Sequence, residues 1–472
     1  MSVLYALIFT IAALVLYYPF FKNYQLDGYV ITEFARKFLF YKYSFKGKNR
    51  LMFTKRMIRF LCVFAFLIFS FSHLVFIFEN RAWMIVFFLL LISILSPLVF
   101  ILAHICIYPV EVAIKKYYIA RTRGKLREFK GIKIAITGSY GKTSVKSILA
   151  HLLEGKFKVI ASPKNYNTPM GVCKTVANGL GDAEVVIFEM GARHEGDIKE
   201  LMEIINPDIG IITSIGEQHL ESFGSLATIL RTKNELVKYM QGQGKIFFDG
   251  ENENTYSLYK KCIKNKALTC KEEGVSSYSD VRYSQGGMAF NMRLGSEKFQ
   301  VQTKLLGKFN CKNILIASSV ANYLGVRNEE IISRIKTLEP VKNRLEMIDM
   351  KSFVIIDDSY NANEEGVKES LNVLARFTGR KIVITSGLVE MGSKQYEKNF
   401  VLGKEIAKSA NMVVIMNETN KIPILEGLKK GGFSEDKIFF ANSREQQLEI
   451  IKEINCPGCV ILFQNDLPDS FN

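Results

Sequence analysis

Cysteine is sparse and unpatterned in this chain: eight residues in 472, at no framework spacing, which excludes a disulfide-stapled scaffold. The single C-x-x-C, Cys456-Pro457-Gly458-Cys459, has no partner motif for a metal or redox centre and reads as two reduced cysteines around a Pro-Gly turn. Internal repeats and low-complexity tracts are missing, so repeat arrays and disordered linkers are set aside. Acidic residues are scarce in one region only. Residues 1–130 hold 18 Lys/Arg against 5 Asp/Glu, whereas residues 131–472 hold 44 against 41. The formal charge of +16 therefore belongs to the N-terminal quarter, and no nucleic-acid partner is needed to explain it.

That same quarter contains apolar runs without charge. A hydrocarbon core of about 30 Å takes roughly 20 apolar helical residues, and residues 2–21, 60–78 and 83–108 supply three such stretches. The first lacks the basic leading region of a signal peptide, and two more follow it. Ten Lys/Arg lie in 22–59 and seven in 115–130. By the positive-inside rule the chain is a multi-pass membrane protein with its N-terminus outside and the rest in the cytoplasm, its basic segments meeting anionic membrane lipids. The runs hold no acidic residue, which argues against a multispan transporter.

From residue 131 the pattern changes. Continuous apolar runs at 132–137, 184–191, 209–216 and 245–250 alternate with helical segments such as 144–153 and 226–240, as strands of a parallel sheet covered on both faces do. Residues 277–306 alternate in polarity and turn at Gly-Gly, predicting antiparallel hairpins. The pattern resets near Glu339-Pro340, and runs at 352–358, 381–387, 411–417, 437–442 and 459–465 predict a second α/β unit. The expected fold class is α/β: a three-helix transmembrane module (1–110), a basic juxtamembrane linker (111–130), a central P-loop α/β ATPase domain with a small antiparallel β insertion (131–340), and a C-terminal Rossmann-like α/β domain (341–472).

One stretch carries phosphate chemistry. In "KIAITGSYGKTS", residues 133–144, the usual G-x-x-x-x-G-K-[ST] spacing would put glycine at 136, where Ile136 stands. The shorter string Gly138-Ser139-Tyr140-Gly141-Lys142-Thr143 still follows a strand and opens a helix. Its glycines let backbone N–H groups face an anion, the helix N-terminus adds positive potential, Lys142 supplies a point charge, and Thr143 offers a hydroxyl to Mg²⁺. Ser144 begins the helix.

This loop resembles the ATP-binding loop of the Mur ligase family, and the chain follows that family's motif order for about 330 residues. The resemblance implies an ATP-dependent ligase that joins a carboxylate to an amine through an acyl phosphate. In the branch nearest this sequence, D-Ala-D-Ala is joined to UDP-MurNAc-tripeptide during peptidoglycan precursor synthesis. Carried over by motif, Glu189 in "FEMGARHEGDI" and His219 in "SIGEQHLESFGS" match Mg²⁺-binding positions. Lys233 in "LRTKNEL" matches a lysine that the family carbamylates with CO₂, an anion that helps hold the second of two Mg²⁺ ions. Asn310 and Asn313 match residues at the adenine, with Phe309 where the family usually has histidine; Arg344 matches an arginine reaching the phosphates. In "DDSYNANEEG", Asp358 suits ribose hydroxyls and Tyr360, Asn361 and Asn363 the substrate cleft, with Glu364 replacing a proline. Asn165, Asn167 and Thr168 match a substrate-side loop. The implied catalytic set is Lys142, Lys233, His219 and Arg344. In this family a soluble UDP-binding domain normally occupies the place that the apolar runs take here, so a ligase for another carboxylate and amine is the second expectation. A membrane-anchored nucleotide-binding scaffold is the third, and it would not need Glu189, His219 and Lys233 together.

Overall fold

The computed structural model describes residues 2–32, 34–35, 50–78, 82–163, 166–284, 287–360, 363–416 and 418–465. The chain divides into two compact units, with the boundary between Tyr118 and Ile119.

In the first unit, helix Ser2–Leu16 is followed by Tyr18–Leu26, with a bend of 49° between them. Pro19, at the start of the second helix, accounts for the break, because its ring and missing N–H cannot continue the preceding turn. Helix Lys55–Phe78 and the long helix Ala82–Glu128 follow among the described residues. Aromatic rings fill the space between them: Phe21 packs on Phe64 at 5.1 Å and on Phe100 at 5.5 Å between centroids. Among the described residues two helical stretches, Lys55–Ile77 and Pro97–Glu128, are long and apolar enough to cross a membrane; the bent pair qualifies only when counted as one span. Residues 111–128, expected as a linker, form the end of the long helix, and Leu126 is buried in a core of the second unit.

The second unit holds three sheets. Strands β1 (Ile132–Thr137), β2 (Val159–Ala161), β3 (Val185–Glu189), β4 (Ile209–Ile212), β5 (Lys245–Asp249) and β6 (Lys266–Thr269) pair in the order β2-β3-β1-β4-β5-β6, all parallel. Apolar clusters cover both faces, which is why the strand sequences are continuous rather than alternating in hydrophobicity. The chain leaves β1 toward β2 on one side and later returns to β4 on the other. That reversal opens a crevice at the carboxyl ends of β1, β3 and β4, where open α/β sheets bind ligands.

Strands β7 (Ser276–Ser284), β8 (Gly287–Leu294) and β9 (Glu297–Thr303) form the expected antiparallel sheet. The remaining strands are β10 (Glu346–Asp349), β11 (Val354–Asp358), β12 (Lys381–Thr385), β13 (Met412–Met416), β14 (Ile438–Ala441) and β15 (Val460–Gln464). They pair as β10-β11-β15-β12-β13-β14, parallel except for β10 against β11.

Candidate functional site

Ile136 lies inside β1, opposite Glu189 of β3. The phosphate loop begins two residues later, so no glycine is missing. Gly138 has φ +147, and a Cβ there would stand 2.0 Å from Thr213 Oγ1. Gly141 has φ +81, with Asn313 Oδ1 2.6 Å from a built Cβ. Neighbours therefore crowd the loop where its backbone turns. Ser139 and Tyr140 N–H donate to Ser214 O at 2.8 and 3.1 Å, and Thr213 Oγ1 donates to Tyr140 O at 2.6 Å. A Gly138→Ala variant, forced to displace Thr213 at an unfavourable φ, is expected to lose roughly 1–3 kcal/mol of stability and to bind ATP about tenfold more weakly, read by thermal melting and calorimetry. Unchanged ATP affinity would detach Gly138 from the nucleotide.

Helix Lys142–Leu153 starts at the loop. Lys142 Nζ donates to Gly138 O and Ser139 O, each at 2.9 Å. Burial, with Arg344 nearby, brings its pKa down to about 8, against the pull of Glu189. Thr143 Oγ1 donates to Glu189 Oε2 at 3.0 Å. Glu189 is buried, which disfavours its charge, but Lys146 and Lys142 outweigh burial and hold the carboxyl below its ordinary pKa. Lys146 Nζ is 3.0 Å from Glu189 Oε2, and Asn167 Nδ2 donates to Oε1 at 3.4 Å.

Arg344 reaches this cluster from the C-terminal domain, with Nη2 3.4 Å from Thr143 Oγ1 and its guanidinium 4.8 Å from the Tyr360 ring centroid. Its backbone neighbours are unusual: Asn343 (φ +63) and Leu345 (φ +52) are both left-handed. Asn343 Nδ2 is tied to Asp357 Oδ2 at 2.8 Å, and Leu345 is buried.

Beside the loop lies an open cleft lined by Tyr140, Ser144, Phe309, Asn313, Asp358 and Tyr360, among others. Burial raises the Asp358 pKa to about 7 despite Arg344. Asn310 lines the neighbouring cavity instead and accepts from Asn313 Nδ2 at 3.0 Å. Lys312 and Glu365, which no sequence motif singled out, also line the first cavity and pair at 2.8 Å.

Among the substrate-side residues, Thr168 and Asn363 use their side chains as helix caps, accepting from Gly171 N at 3.3 Å and Gly366 N at 2.9 Å. Asn165 and Asn361 lie outside the described residues. Lys233 is buried on helix Leu226–Met240; burial and then Lys142 lower its pKa to about 7, against Asp197 and Glu235. His219 adopts φ +54, and its Nδ1 meets Glu390 of the C-terminal domain.

Glu189 and Thr143 offer hard oxygen donors of the kind that suit Mg²⁺ and would be the side chains to hold it. Among the described residues no group of three or more His, Cys, Asp and Glu side chains forms a complete metal cage, as expected where substrates supply ligands. A protonated Lys233 does not suit a cation. A neutral amine near pH 7 suits conversion to a carbamate, which does.

Residues 136–321 match the Mur ligase middle domain, and residues 343–464 the Mur ligase glutamate ligase domain. The chain is 26% identical over 333 residues to a UDP-N-acetylmuramoyl-tripeptide--D-alanyl-D-alanine ligase of Haemophilus influenzae, covering 68% of this chain and 72% of that protein. The same-named protein of Bacillus subtilis is 27% identical over 345 residues, covering 72% and 74%. Among solved structures, the MurF ligase from Thermotoga maritima in complex with ADP aligns with a TM-score of 0.68 at 27% identity, over 75% of this chain and 80% of that one. A pseudomurein peptide ligase type C from Methanothermus fervidus shares the fold, with a TM-score of 0.56 at 18% identity over 71% and 76% of the two chains.

Proposed function

Because the chain belongs to the Mur ligase family, we propose that it is an ATP-dependent, ADP-forming ligase that adds D-Ala-D-Ala to UDP-MurNAc-tripeptide in peptidoglycan precursor synthesis. The observation that carries this reading is the meeting of Lys142, Thr143, Glu189 and Arg344 at one cleft between two α/β domains. Four different demands are met there: a cradle for phosphates, an oxygen set for Mg²⁺, a cation from the opposite wall, and a cavity beside them for the nucleoside.

Lys142 and the N–H groups from Gly141 onward, where the helix begins, hold the phosphates of ATP, and Arg344 adds positive charge where the phosphoryl group is transferred to the substrate carboxylate. Mg²⁺, when bound, neutralises the charge gathered by phosphates and carboxylate. Glu189 and Thr143 would hold one ion; His219 and carbamylated Lys233 would hold the other. Asp358 faces the ribose and Asn313 the base, with Asn310 behind Asn313 as its hydrogen-bond acceptor. Asn167, Thr168, Tyr360 and Asn363 border the substrates, and the closed domains exclude water that would hydrolyse the acyl phosphate.

The N-terminal unit forms three membrane spans, the bent helix pair acting as the first, with the ligase domains on the cytoplasmic side and basic residues against anionic headgroups. A second reading, a ligase of the same chemistry for another carboxylate–amine pair, is favoured by the family match beginning at residue 136, after these helices.

Purified full-length protein with ATP, Mg²⁺, UDP-MurNAc-tripeptide and D-Ala-D-Ala is expected to yield the pentapeptide product by mass, with one ADP per product. Absence of product, with turnover of a different pair, selects the second reading.

A further inference from the structure

Glu390 belongs to the C-terminal domain, yet its contacts are made with the central one. Its carboxylate accepts from His219 Nδ1 and, at 3.3 Å, from Arg193 Nη2, while its backbone carbonyl accepts from Glu221 N at 3.3 Å. Both ends of the principal contact are strained. His219 has φ +54 and Glu390 φ +60, left-handed values that cost a non-glycine residue roughly 1–2 kcal/mol each. Such strain persists only where the surroundings over-determine it.

Those surroundings are built for the purpose. Asn399, fully buried, accepts from Leu388 N at 2.8 Å and donates to Leu388 O at 2.9 Å. Asn420 Nδ2 donates to the same carbonyl at 3.0 Å, and Met391 N donates to Gln395 Oε1 at 3.1 Å. The backbone on both sides of Glu390 is thus tied to side-chain amides, buried on one side and half-buried on the other, leaving its side chain to cross the cleft.

We propose that Glu390 is the positioning residue for His219, fixing the imidazole from the opposite domain so that the metal site is complete only when the domains are together. An ionised carboxylate can only accept, so the hydrogen sits on Nδ1; in the neutral imidazole the lone pair is then on Nε2, the arrangement usual for metal-binding histidines. Because donor and orienting group sit on different domains, ion binding and closure are thermodynamically linked: each favours the other by the same factor. This inference rests on His219 being a metal ligand, as read above. Lys394 provides an internal comparison, since it crosses the same cleft to Glu217 at 2.6 Å without touching His219.

The test uses the full chain with ADP, Mn²⁺ titration followed by electron paramagnetic resonance, and fluorescence energy transfer between labels on the two α/β domains. His219→Ala identifies which Mn²⁺ ion depends on the imidazole. For that ion, Glu390→Ala is expected to weaken binding about tenfold or more, Glu390→Gln to recover part of the loss through its carbonyl oxygen, and Lys394→Ala to change it by no more than about twofold. Mn²⁺ should raise energy transfer in the unaltered protein and not in Glu390→Ala. Equal weakening by Glu390→Ala and Lys394→Ala, or Mn²⁺-driven closure that survives Glu390→Ala, overturns the inference. Wild-type Mn²⁺ binding by His219→Ala would instead overturn the metal reading itself.

Discussion

Lys142→Ala is expected to abolish amine-dependent ATP consumption, lowering kcat by at least about a hundredfold, the range seen when one donor to a transition-state anion is removed. Its ammonium sits where the loop and helix N-terminus concentrate positive potential, bonded only to the neutral carbonyls of Gly138 and Ser139. A phosphate is a far better partner for it. The stability consequence runs the other way. The folded pKa of about 8 lies below the ordinary lysine value of 10.5. The buried ammonium therefore costs the ligand-free fold stability throughout the range below about pH 8, and this cost fades between 8 and 10.5. The variant should consequently melt no lower than the wild type at pH 7 while losing ADP release and product. Ligation retained in Lys142→Ala sinks the assignment of the phosphate loop.

The second large effect concerns Lys233. Its pKa of about 7, set by burial and then by Lys142, leaves about half of the amines neutral at physiological pH. Only the neutral amine attacks CO₂, so the carbamate is expected to form readily above pH 7 and to be lost as pH falls through it. Stripping CO₂ from the buffer should reduce ligase activity at pH 6.5 more than at pH 8, and bicarbonate should restore it. Lys233→Ala should lose about a hundredfold or more in kcat, with no response to bicarbonate. Wild-type activity indifferent to CO₂ removal would leave Lys233 as a buried structural lysine.

Much of the architecture was readable because parallel strands under two helical layers are written as uninterrupted apolar runs; β1, β3, β5 and β12 are examples. Strands β2 and β6 escaped notice because they are short pieces, "VIA" and "KALT", and β10, "EMID", is a charged edge strand with partly exposed residues. The phosphate loop and Glu189 were legible because their chemistry is local to a strand end. Glu390, Lys146, Lys312 and Glu365 were not. Lys146 sits one helical turn beyond Lys142, a spacing that could have placed it on the same face. The other three owe their roles to contacts between segments far apart in sequence, Lys312 with Glu365 across 53 residues and His219 with Glu390 across 171. Thr168 and Asn363 show the converse: polar residues that motif matching assigns to substrate are already employed as helix caps.

The three residues Asn343-Arg344-Leu345 join the two α/β domains to the chemistry in a way that bears on economy of fuel. Both flanking residues hold left-handed backbone, so the arginine is aimed by its own main chain rather than by a flexible tether. Swinging the C-terminal domain outward would withdraw the guanidinium from Thr143 in the same movement. On the proposed mechanism, an open molecule would lack one of the charges that phosphoryl transfer requires, and idle turnover against water would be restrained by anatomy before any substrate is recognised.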